Sequence, residues 1–240
     1  MTTQPLFRAD AYLKQAAATV TGLTEEGGIV VDASVFYPTG GGQPGDSGRL
    51  DWEGGSTVIA TAVKGPQDTV VLVPQAGSDL PGVGQTVMQH LDWDRRYSLM
   101  RVHTALHLLS VVIPFGVTGG SISDGKGRLD FNMENPPEDK EAITAALNEM
   151  IATDAATYES WITDAELDAQ PELVKTMSVQ PPRGSGRIRL IRIGDEAAPI
   201  DLQPCGGTHV ARLSEIGKLR LGKVEKKGRM NRRVYLHLDD

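Results

Sequence analysis

The strongest constraint on the fold is a set of six short runs, rich in Val, Thr and Ile, within the first 93 residues. Glycine-containing turns separate these runs, and each has a length typical of a β-strand. Six strands at this spacing suggest a small closed barrel or a sandwich. Either form reduces the number of exposed sheet edges, and we predict such an all-β domain over residues 1–93. The runs are AATVTGL, GIVVDASVF, GRLDW, TVIATAV, DTVVLVP and QTVMQHLDW.

The pattern changes at Asp94, and residues 94–240 form a second predicted domain. A nearly all-apolar helix is predicted from Asp94, which suits an N-cap, to Pro114, and its lack of a polar face indicates burial. An amphipathic helix is predicted from Pro137, in its first turn, to Asp154. Helices followed by antiparallel strands indicate an α+β domain. The remaining predicted elements are the strands YESWITD, GRIRLIRIG, KLRLGKVEKK and RRVYLHL, and the helical stretch DAELDAQPELVK, interrupted at Pro171.

The overall composition is that of a soluble globular protein, with 40% hydrophobic and 23% charged residues. No segment approaches the ~18 uninterrupted apolar residues of a membrane helix. The segment MTTQPLFRAD lacks the basic start and apolar run of a secretory signal. A single cysteine cannot form an internal disulfide, which fits a reducing compartment. We therefore expect a cytoplasmic protein without a membrane partner.

The charge is unevenly distributed, although the net charge is −7. Eleven acidic residues and one lysine lie between Glu134 and Glu172. Eight basic residues and one glutamate lie between Lys218 and Arg233. A polyanion such as a nucleic acid could bind the basic segment, but a solvated hairpin with ordinary surface lysines has the same composition.

Two histidines, His103 and His107, stand four positions apart on the predicted apolar helix. On an α-helix this spacing brings both imidazoles to one face, as two ligands of one tetrahedral Zn²⁺ would require. Burial of two polar rings without partners is unfavourable, so a polar group should lie opposite them. The pair alone also fits histidines that only bond backbone carbonyls or fill a core.

The single cysteine, Cys205, has the same spacing to His209, across a glycine-containing turn. A lone cysteine is most often a small buried hydrophobe. Together with the helical pair, however, the turn completes a set of three imidazoles and one thiolate, and mixed nitrogen and sulfur ligands favour zinc over calcium or magnesium. We predict a Zn²⁺ site formed by His103, His107, Cys205 and His209.

These motifs resemble a known family. RVHTALHLL with PCGGTHV is similar to the paired H-x-x-x-H and C-x-x-x-H of the editing domain of alanyl-tRNA synthetase and of the AlaX trans-editing proteins. FYPTGGGQPGDSG resembles the glycine-rich motif of the β-barrel that precedes that domain. The resemblance extends from Phe36 nearly to the C-terminus. The length leaves no room for an adenylating domain, so the medium-length AlaX class is the best match.

The resemblance implies a two-domain fold, with a small antiparallel β-barrel followed by an α+β zinc-binding editing domain of the threonyl/alanyl-tRNA synthetase second additional domain type. It implies hydrolysis in trans of mischarged alanine tRNA, with serine as the first candidate amino acid and glycine as the second. A pocket that pairs a serine hydroxyl can reject alanine, because its polar groups are then left unpaired. The implied partner is mischarged alanine-specific tRNA, and the expected state is a monomer or a weak homodimer.

Further residues are candidates for substrate and RNA contacts. Glycines allow a backbone to approach phosphate or ribose closely, although the glycine-rich motif could equally be a barrel turn that requires positive φ. Thr118 stands where the synthetase editing domains have glutamine, a departure that affects substrate discrimination. Candidate substrate contacts are Thr39, Gly40, Gly41, Gly42, Gln43, Thr118, Gly206, Gly207 and Thr208, the last three through backbone amides that stabilise an oxyanion. Candidate RNA contacts are Lys126, Arg128, Lys223, Lys226, Lys227, Arg229, Arg232 and Arg233.

Two other functions fit some of the same residues. A cysteine hydrolase would use Cys205 with one histidine as base, which leaves the helical pair unexplained. A tRNA-binding module with a structural zinc would bind RNA without hydrolysis. Four protein ligands are typical of structural zinc, so the sequence leaves open whether the ion acts in catalysis or shapes the pocket.

Overall fold

The computed structural model describes residues 2–177 and 186–239. The chain divides into two compact units, Met1–Ser98 and Leu99–Asp240. The roles predicted for residues 1–93 and 94–240 as two functional domains stay predictions. Among the described residues, no helix is long and apolar enough to cross a membrane.

The first unit contains a closed six-stranded antiparallel barrel, as the sequence predicted. Its strands follow the order β2–β3–β7–β6–β5–β8 around the barrel. Alternate side chains point inward and form one apolar core, which includes Ile29, Leu50, Ile59 and Leu72, all fully buried. The elements are β1 Gln4–Pro5, α1 Leu6–Ala9, β2 Gln15–Leu23, β3 Ile29–Val31, β4 Ala33–Ser34, β5 Gly48–Trp52, β6 Gly55–Lys64, β7 Val70–Pro74 and β8 Thr86–Leu91.

The second predicted strand, GIVVDASVF, is in fact two. β3 joins the barrel, whereas β4 pairs in parallel with β1, an element that the sequence did not predict. The division falls at Asp32, whose carboxylate accepts a hydrogen bond from the Thr19 amide at 2.8 Å. Because the side chain occupies a backbone donor of β2, the regular ladder ends there.

The second unit combines helices with two antiparallel sheets, so the predicted mixture of helices and strands is confirmed. One sheet has the order β14–β15–β10–β9 and the other has the order β11–β12–β13. The elements from the barrel onward are α2 Trp93–Val112, β9 Val117–Ser123, β10 Lys126–Asn132, α3 Lys140–Ala152, β11 Thr157–Ile162, α4 Asp164–Asp168, β12 Ile188–Gly194, β13 Pro199–Pro204, β14 Leu219–Gly228 and β15 Asn231–Leu238. As expected, Pro171 separates α4 from a short 3₁₀ turn, Pro171–Leu173.

The predicted beginnings of the two long helices are wrong by a few residues. α2 begins at Trp93, and the residue that caps it is Asp92 rather than Asp94, since the Asp92 carboxylate accepts from the Arg95 amide at 3.3 Å. α3 begins at Lys140, after Pro137, because Asp139 accepts from the Ala142 amide at 2.8 Å. In both helices an aspartate directly before the first helical residue accepts a hydrogen bond from an amide of the first turn.

The apolar residues of α2 are buried, as predicted for a helix without a polar face. β10 lies close against this helix at Gly127. A Cβ atom at Gly127 would come within 2.7 Å of Val102 Cγ1 and 3.0 Å of Leu106 Cδ1. Gly127 therefore permits the close approach of the sheet to the helix that carries both histidines.

A buried ion pair holds the loop after β4 in the first unit. Arg96 and Asp46 are 0% and 1% exposed, and the Arg96 Nε atom lies 3.1 and 3.0 Å from the two Asp46 carboxylate oxygens. The guanidinium also donates to the carbonyls of Ala11 and Val35, at 2.9 and 2.8 Å. The Asp46 carboxylate also accepts a hydrogen bond from the Tyr37 amide, at 2.6 Å. Each charge therefore has several partners, which compensates for its burial.

We predict that Asp46→Asn lowers the free energy of unfolding by about 3 to 5 kcal/mol, because it leaves a buried guanidinium without its carboxylate. Urea denaturation measures the change. The matched control is Asp51→Asn, which removes the exposed partner of Arg49 and should change stability by less than about 1 kcal/mol. Equal effects of the two substitutions would contradict the assigned role of the buried pair.

Candidate metal centre

Four side chains from distant parts of the second unit meet in one small space. One ligand atom from each of His103, His107, Cys205 and His209 lies within 4.8 Å of the others. The Cys205 sulfur lies 3.4 Å from His103 Nε2 and 3.2 Å from His209 Nε2. The three histidines are each 6% exposed. The residues predicted as a zinc set are therefore brought together, as a group that could hold a metal ion.

Hydrogen bonds fix the turn that carries Cys205. The Cys205 amide donates to the Arg189 carbonyl at 3.1 Å, and Arg189 Nη1 donates to the carbonyls of Cys205 and Gly207 at 3.2 and 2.9 Å. The Gly207 amide points back to the Cys205 sulfur at 3.4 Å. Neither Gly206 nor Gly207 has a positive φ, so the backbone conformation of this turn does not itself require glycine.

His107 is oriented by a carboxylate behind it. Its Nδ1 atom lies 2.8 Å from the Asp201 carboxylate, so the Nδ1 proton is held there and the Nε2 atom faces the cluster. Asp201 is 2% exposed. It also accepts hydrogen bonds from Lys175 and, at 2.8 Å, from the side-chain amide of Gln203. Ser110 accepts from the same Gln203 amide at 3.3 Å. The polar partner expected for the buried histidine pair is this network.

His209 is oriented in a similar way by a hydroxyl group. Its Nδ1 atom lies 3.2 Å from the Thr104 hydroxyl. That hydroxyl donates its one proton to the Met100 carbonyl at 3.0 Å, and it also accepts from the Val210 amide at 3.2 Å. The Nδ1 atom of His209 must therefore be the donor, which leaves its Nε2 lone pair directed at the cluster.

The protein environment favours charge separation within the cluster in the absence of an ion. Burial raises the pKa of Cys205, but the imidazoles of His103 and His209 outweigh it and hold the pKa well below its usual value. Burial lowers the pKa of His107, yet the hydrogen bond to Asp201 raises it to about 9. Burial lowers the pKa of His209 to about 3. The cluster thus offers a thiolate and a neutral imidazole, which are the forms that bind metal.

The glycine-rich loop, residues 39–43, is a tight turn of the first unit. Gly40 and Gln43 exchange two backbone hydrogen bonds of 3.0 Å, and Gly41 and Gly42 have φ of +57° and +82°. The Thr39 hydroxyl accepts from the Gly45 amide at 2.9 Å. Two of the glycines are thus explained by turn geometry. Gln43 is 0% exposed, so its side chain does not reach solvent as a substrate contact would.

Thr118 ties three strands together rather than pointing an unused hydroxyl at solvent. Its hydroxyl donates to the Asp130 carbonyl at 3.1 Å and accepts from the Asn231 side-chain amide at 3.0 Å. A role in substrate discrimination would require Thr118 to act within this existing network. Thr208, the last residue of the predicted oxyanion turn, is 1% exposed, whereas Gly206 is exposed.

The predicted RNA contacts differ in their availability. Arg232 is 6% exposed, and its Nη1 atom donates to the carbonyls of Gly228, Arg229 and Asn231. The hairpin turn uses this guanidinium internally, so the contact of Arg232 with RNA phosphate, which stays a prediction, would compete with these bonds. Lys126, Lys226 and Arg229 are exposed.

Two carboxylates neutralise much of the remaining basic set. Asp130 accepts from Arg128 at 2.8 Å and from Arg233 at 2.8 and 2.9 Å. Burial raises the pKa of Asp130, but its bonds to Arg233 and Arg128 lower it further than burial raises it. Glu225 pairs with Lys223 and Lys227.

Sequence reasoning missed the residues that support the predicted metal ligands. Asp201 and Gln203 lie on β13, a strand that was not predicted because prolines flank it and its polar residues alternate with Ile and Leu. The prolines are tolerated because β13 is an edge strand. An aspartate four residues before a ligand cysteine carries no signal by itself. Only the register of the sheet places it behind His107.

Family comparisons agree with the fold and the cluster. Residues 188–235, which include Cys205 and His209, match the family described as the threonyl and alanyl tRNA synthetase second additional domain. Residues 8–95 match the class II (A) tRNA synthetases. The chain is therefore a relative of class II synthetases that carries this second additional domain.

Curated relatives specify the family further. The chain is 37% identical to the alanyl-tRNA editing protein AlaX-M of Saccharolobus solfataricus, over 97% of this chain and 98% of that protein. It is 32% identical to AlaX-M of Methanosarcina mazei, over 99% and 97%. It is 33% identical to the alanine–tRNA ligase of Pyrobaculum calidifontis, over 93% of this chain but 25% of the ligase. The chain belongs to the AlaX-M family of alanyl-tRNA editing proteins, which confirms the resemblance found in the sequence.

We predict that Asp201→Asn weakens binding of Zn²⁺ by roughly 10- to 100-fold, because an amide holds the Nδ1 proton of His107 less strongly than a carboxylate does. Competition with a chromogenic chelator at neutral pH measures the affinity. Glu141→Gln, an exposed acidic side chain at the start of α3, serves as the control and should leave the affinity unchanged. Wild-type affinity in the Asp201 variant would show that the carboxylate does not tune this centre.

Proposed function

We propose that this protein hydrolyses the ester of mischarged alanine tRNA in trans, with Ser-tRNA(Ala) as the first substrate and Gly-tRNA(Ala) as the second. The observation that carries the proposal is the convergence of His103, His107, Cys205 and His209 in a member of the AlaX-M family. The names of the relatives indicate alanyl-tRNA editing in general. The particular amino acid, the hydrolytic mechanism and a cytoplasmic location are parts of the proposal.

The donor set fits zinc. Three imidazole nitrogens and one sulfur are a tetrahedral Zn²⁺ set, and the Nδ1 atoms of His107 and His209 are already held by Asp201 and Thr104. We assign His103, His107, Cys205 and His209 as its ligands. A zinc ion held there supplies Lewis-acid polarisation of an ester carbonyl.

The residues around the centre orient the metal-binding side chains and stabilise the reacting ester. Asp201 keeps the His107 ring in one orientation, and Arg189 keeps the Cys205 turn against the cluster through two carbonyls. The Gly207 amide is occupied by the sulfur. Among the backbone amides of the turn Gly206–Thr208, we therefore assign stabilisation of the oxyanion to the exposed Gly206 amide.

The test is a deacylation assay with Ser-, Gly- and Ala-tRNA(Ala), each with and without a chelator. We expect Ser-tRNA(Ala) to be hydrolysed fastest and Ala-tRNA(Ala) to be spared. Chelation, or Cys205→Ala, should reduce the rate by roughly 100-fold or more, because several kcal/mol of transition-state stabilisation depend on the ion. The metal content of the Cys205 variant should fall in parallel.

Other outcomes would identify the two alternative functions. A chelator-resistant activity that is abolished by thiol alkylation would indicate a cysteine hydrolase. Binding of Ser-tRNA(Ala) without release of serine would indicate a tRNA-binding module with a structural zinc. Full activity and full metal content in Cys205→Ala would contradict the ligand set.

For the RNA contacts, we propose that the hairpin β14–β15 contacts the tRNA backbone through its exposed cations, chiefly Lys226 and Arg229. Asp130 and Glu225 already pair with Arg128, Arg233, Lys223 and Lys227, so these side chains contribute less net charge. The positive charge that can attract a polyanion therefore lies mainly near the hairpin turn, at Lys226 and Arg229.

We predict that the double substitution Lys226→Ala with Arg229→Ala weakens tRNA binding and lowers the slope of log affinity against log salt by roughly 0.7 to 0.9 per lost contact. Titrations at several salt concentrations measure the slope. Lys140→Ala, which removes an exposed cation from the acidic segment, should leave the slope unchanged. An unchanged slope in the double variant would exclude the hairpin turn as the phosphate contact.

A further inference from the structure

Trp161 is a large aromatic side chain that stays 42% exposed on β11, an edge strand of its sheet. Its partner across the sheet is Arg189 on β12. Directly after the next strand, β13, the Cys205 amide donates to the Arg189 carbonyl at 3.1 Å. Trp161, Arg189 and Cys205 therefore form one row across the sheet, with the aromatic ring at the outer end and a metal ligand at the other.

The three side chains of this row lie on one face, because residues paired across a sheet share a face. Asp201 and Gln203 on β13 pair with Ile193 and Ile191, which lie on the same face of β12 as Arg189, so this is also the face of the His107 network. Two strand spacings separate the Cα atoms of Trp161 and Cys205 by about 10 Å. That separation corresponds to the span of a nucleoside that carries an amino acid on its ribose.

This face of the sheet is buried along the central strand β12 and accessible at Trp161 on the edge strand β11. Ile191 and Ile193, on β12, are 1% and 0% exposed, whereas Trp161 remains accessible. A tryptophan on an exposed edge leaves unfavourable apolar surface in water, which a stacked partner would remove. The open end of the row is therefore suited to a ligand that also reaches the metal centre.

The surroundings of the ring favour an uncharged partner. Arg189 directs Nε to the Glu159 carboxylate at 2.7 Å, and Nη1 to the carbonyls of Cys205 and Gly207. Glu159 thus neutralises the Arg189 guanidinium, whose remaining hydrogen bonds hold the Cys205 turn. Such a site suits the flat face of a nucleobase better than a phosphate.

We propose that Trp161 is the stacking platform for the terminal nucleobase of the tRNA whose ester is cleaved at the metal centre. The inference rests on the proposed function, and it adds the part of the substrate that is recognised next to the reacting bond. Stacking on an aromatic side chain needs no particular base edge, because every base has a π-face. Trp161 positions the terminal nucleoside, so that its ribose ester lies over the Cys205 turn.

Two non-hydrolysable probes test this role with the full-length protein. The first is adenosine that carries serine in an amide bond on its 3′-position, and the second is the same serine amide on a ribose ring without a base. We expect the wild-type protein to prefer the probe with a base. Trp161→Ala should weaken binding of that probe by roughly 10-fold or more and leave binding of the other unchanged, whereas Trp161→Phe should retain the preference.

The matched control is Tyr158→Ala, on the opposite face of the same strand, where Tyr158 is 50% exposed and stacks against Arg192. This variant should bind both probes as the wild type does. Trp161→Leu keeps apolar bulk without an aromatic face, and it should behave like the alanine variant. If Trp161→Leu or Trp161→Ala still prefers the probe with a base, the proposal is overturned. This holds even if these variants change the oligomeric state.

The deacylation assay separates this inference from the proposed function. Hydrolysis of Ser-tRNA(Ala) by a wild-type protein that shows no preference between the two probes would overturn the platform alone. A wild-type protein that hydrolyses none of the charged tRNAs would overturn the function instead. For a true platform, Trp161→Ala should raise KM for Ser-tRNA(Ala) while zinc content stays at the wild-type level.

Discussion

Three imidazoles and one thiol share a buried space in which their ligand atoms lie within 4.8 Å of each other, and the second unit is arranged to satisfy them. Buried polar groups destabilise a fold unless each has a partner. The rings of His107 and His209 meet this condition through Asp201 and Thr104, on the side away from the sulfur. Each partner holds the proton on Nδ1, so the two Nε2 atoms face inward, where the ligand atoms of a bound cation would lie. The arrangement is directional, and it suits a cation at the centre.

The same constraint explains why the polar face of β13 is its buried face. Ile200 and Leu202 are only partly buried, whereas Asp201 and Gln203 are nearly inaccessible. This reverses the usual pattern of a half-buried strand, in which apolar residues face the interior. Asp201 can be buried as an anion because His107, Lys175 and Gln203 all donate to it. Although burial raises the pKa of Asp201, these partners lower it to about 2, so the carboxylate stays charged near neutral pH. The buried polar face of β13 thus supports the histidine and cysteine cluster, while Leu202 on its other face packs against an apolar core.

The sequence predicts the parts of the structure that follow from local pattern. Short runs rich in Val, Thr and Ile with glycine turns were sufficient to predict the strands, although the resemblance was needed to choose the barrel over a sandwich. The spacing of His103 and His107 was sufficient to place both rings on one face. The supporting residues depend on strand register, which no local pattern encodes. Asp201 was missed for this reason, and Arg232 was assigned to RNA because its charge was visible but its burial under the hairpin turn was not. The predicted first residues of α2 and α3 were wrong by only one to three positions, since neighbouring acidic residues compete as N-caps.

The proposed action on tRNA in trans requires the substrate to bind and then leave, and the charges of this chain fit such a cycle. The net charge is −7, and Asp130 and Glu225 each bind two of the cations on or beside the basic hairpin. Long-range attraction to a polyanion is therefore limited, because few contacts release counterions. Selectivity must then come from the terminal nucleoside and the amino acid that it carries. A stacking surface on β11 and polar groups around the metal centre would supply short-range recognition of the base and of the amino acid. The part that recognises the amino acid is lost once the ester is cleaved, and its loss favours release of the product.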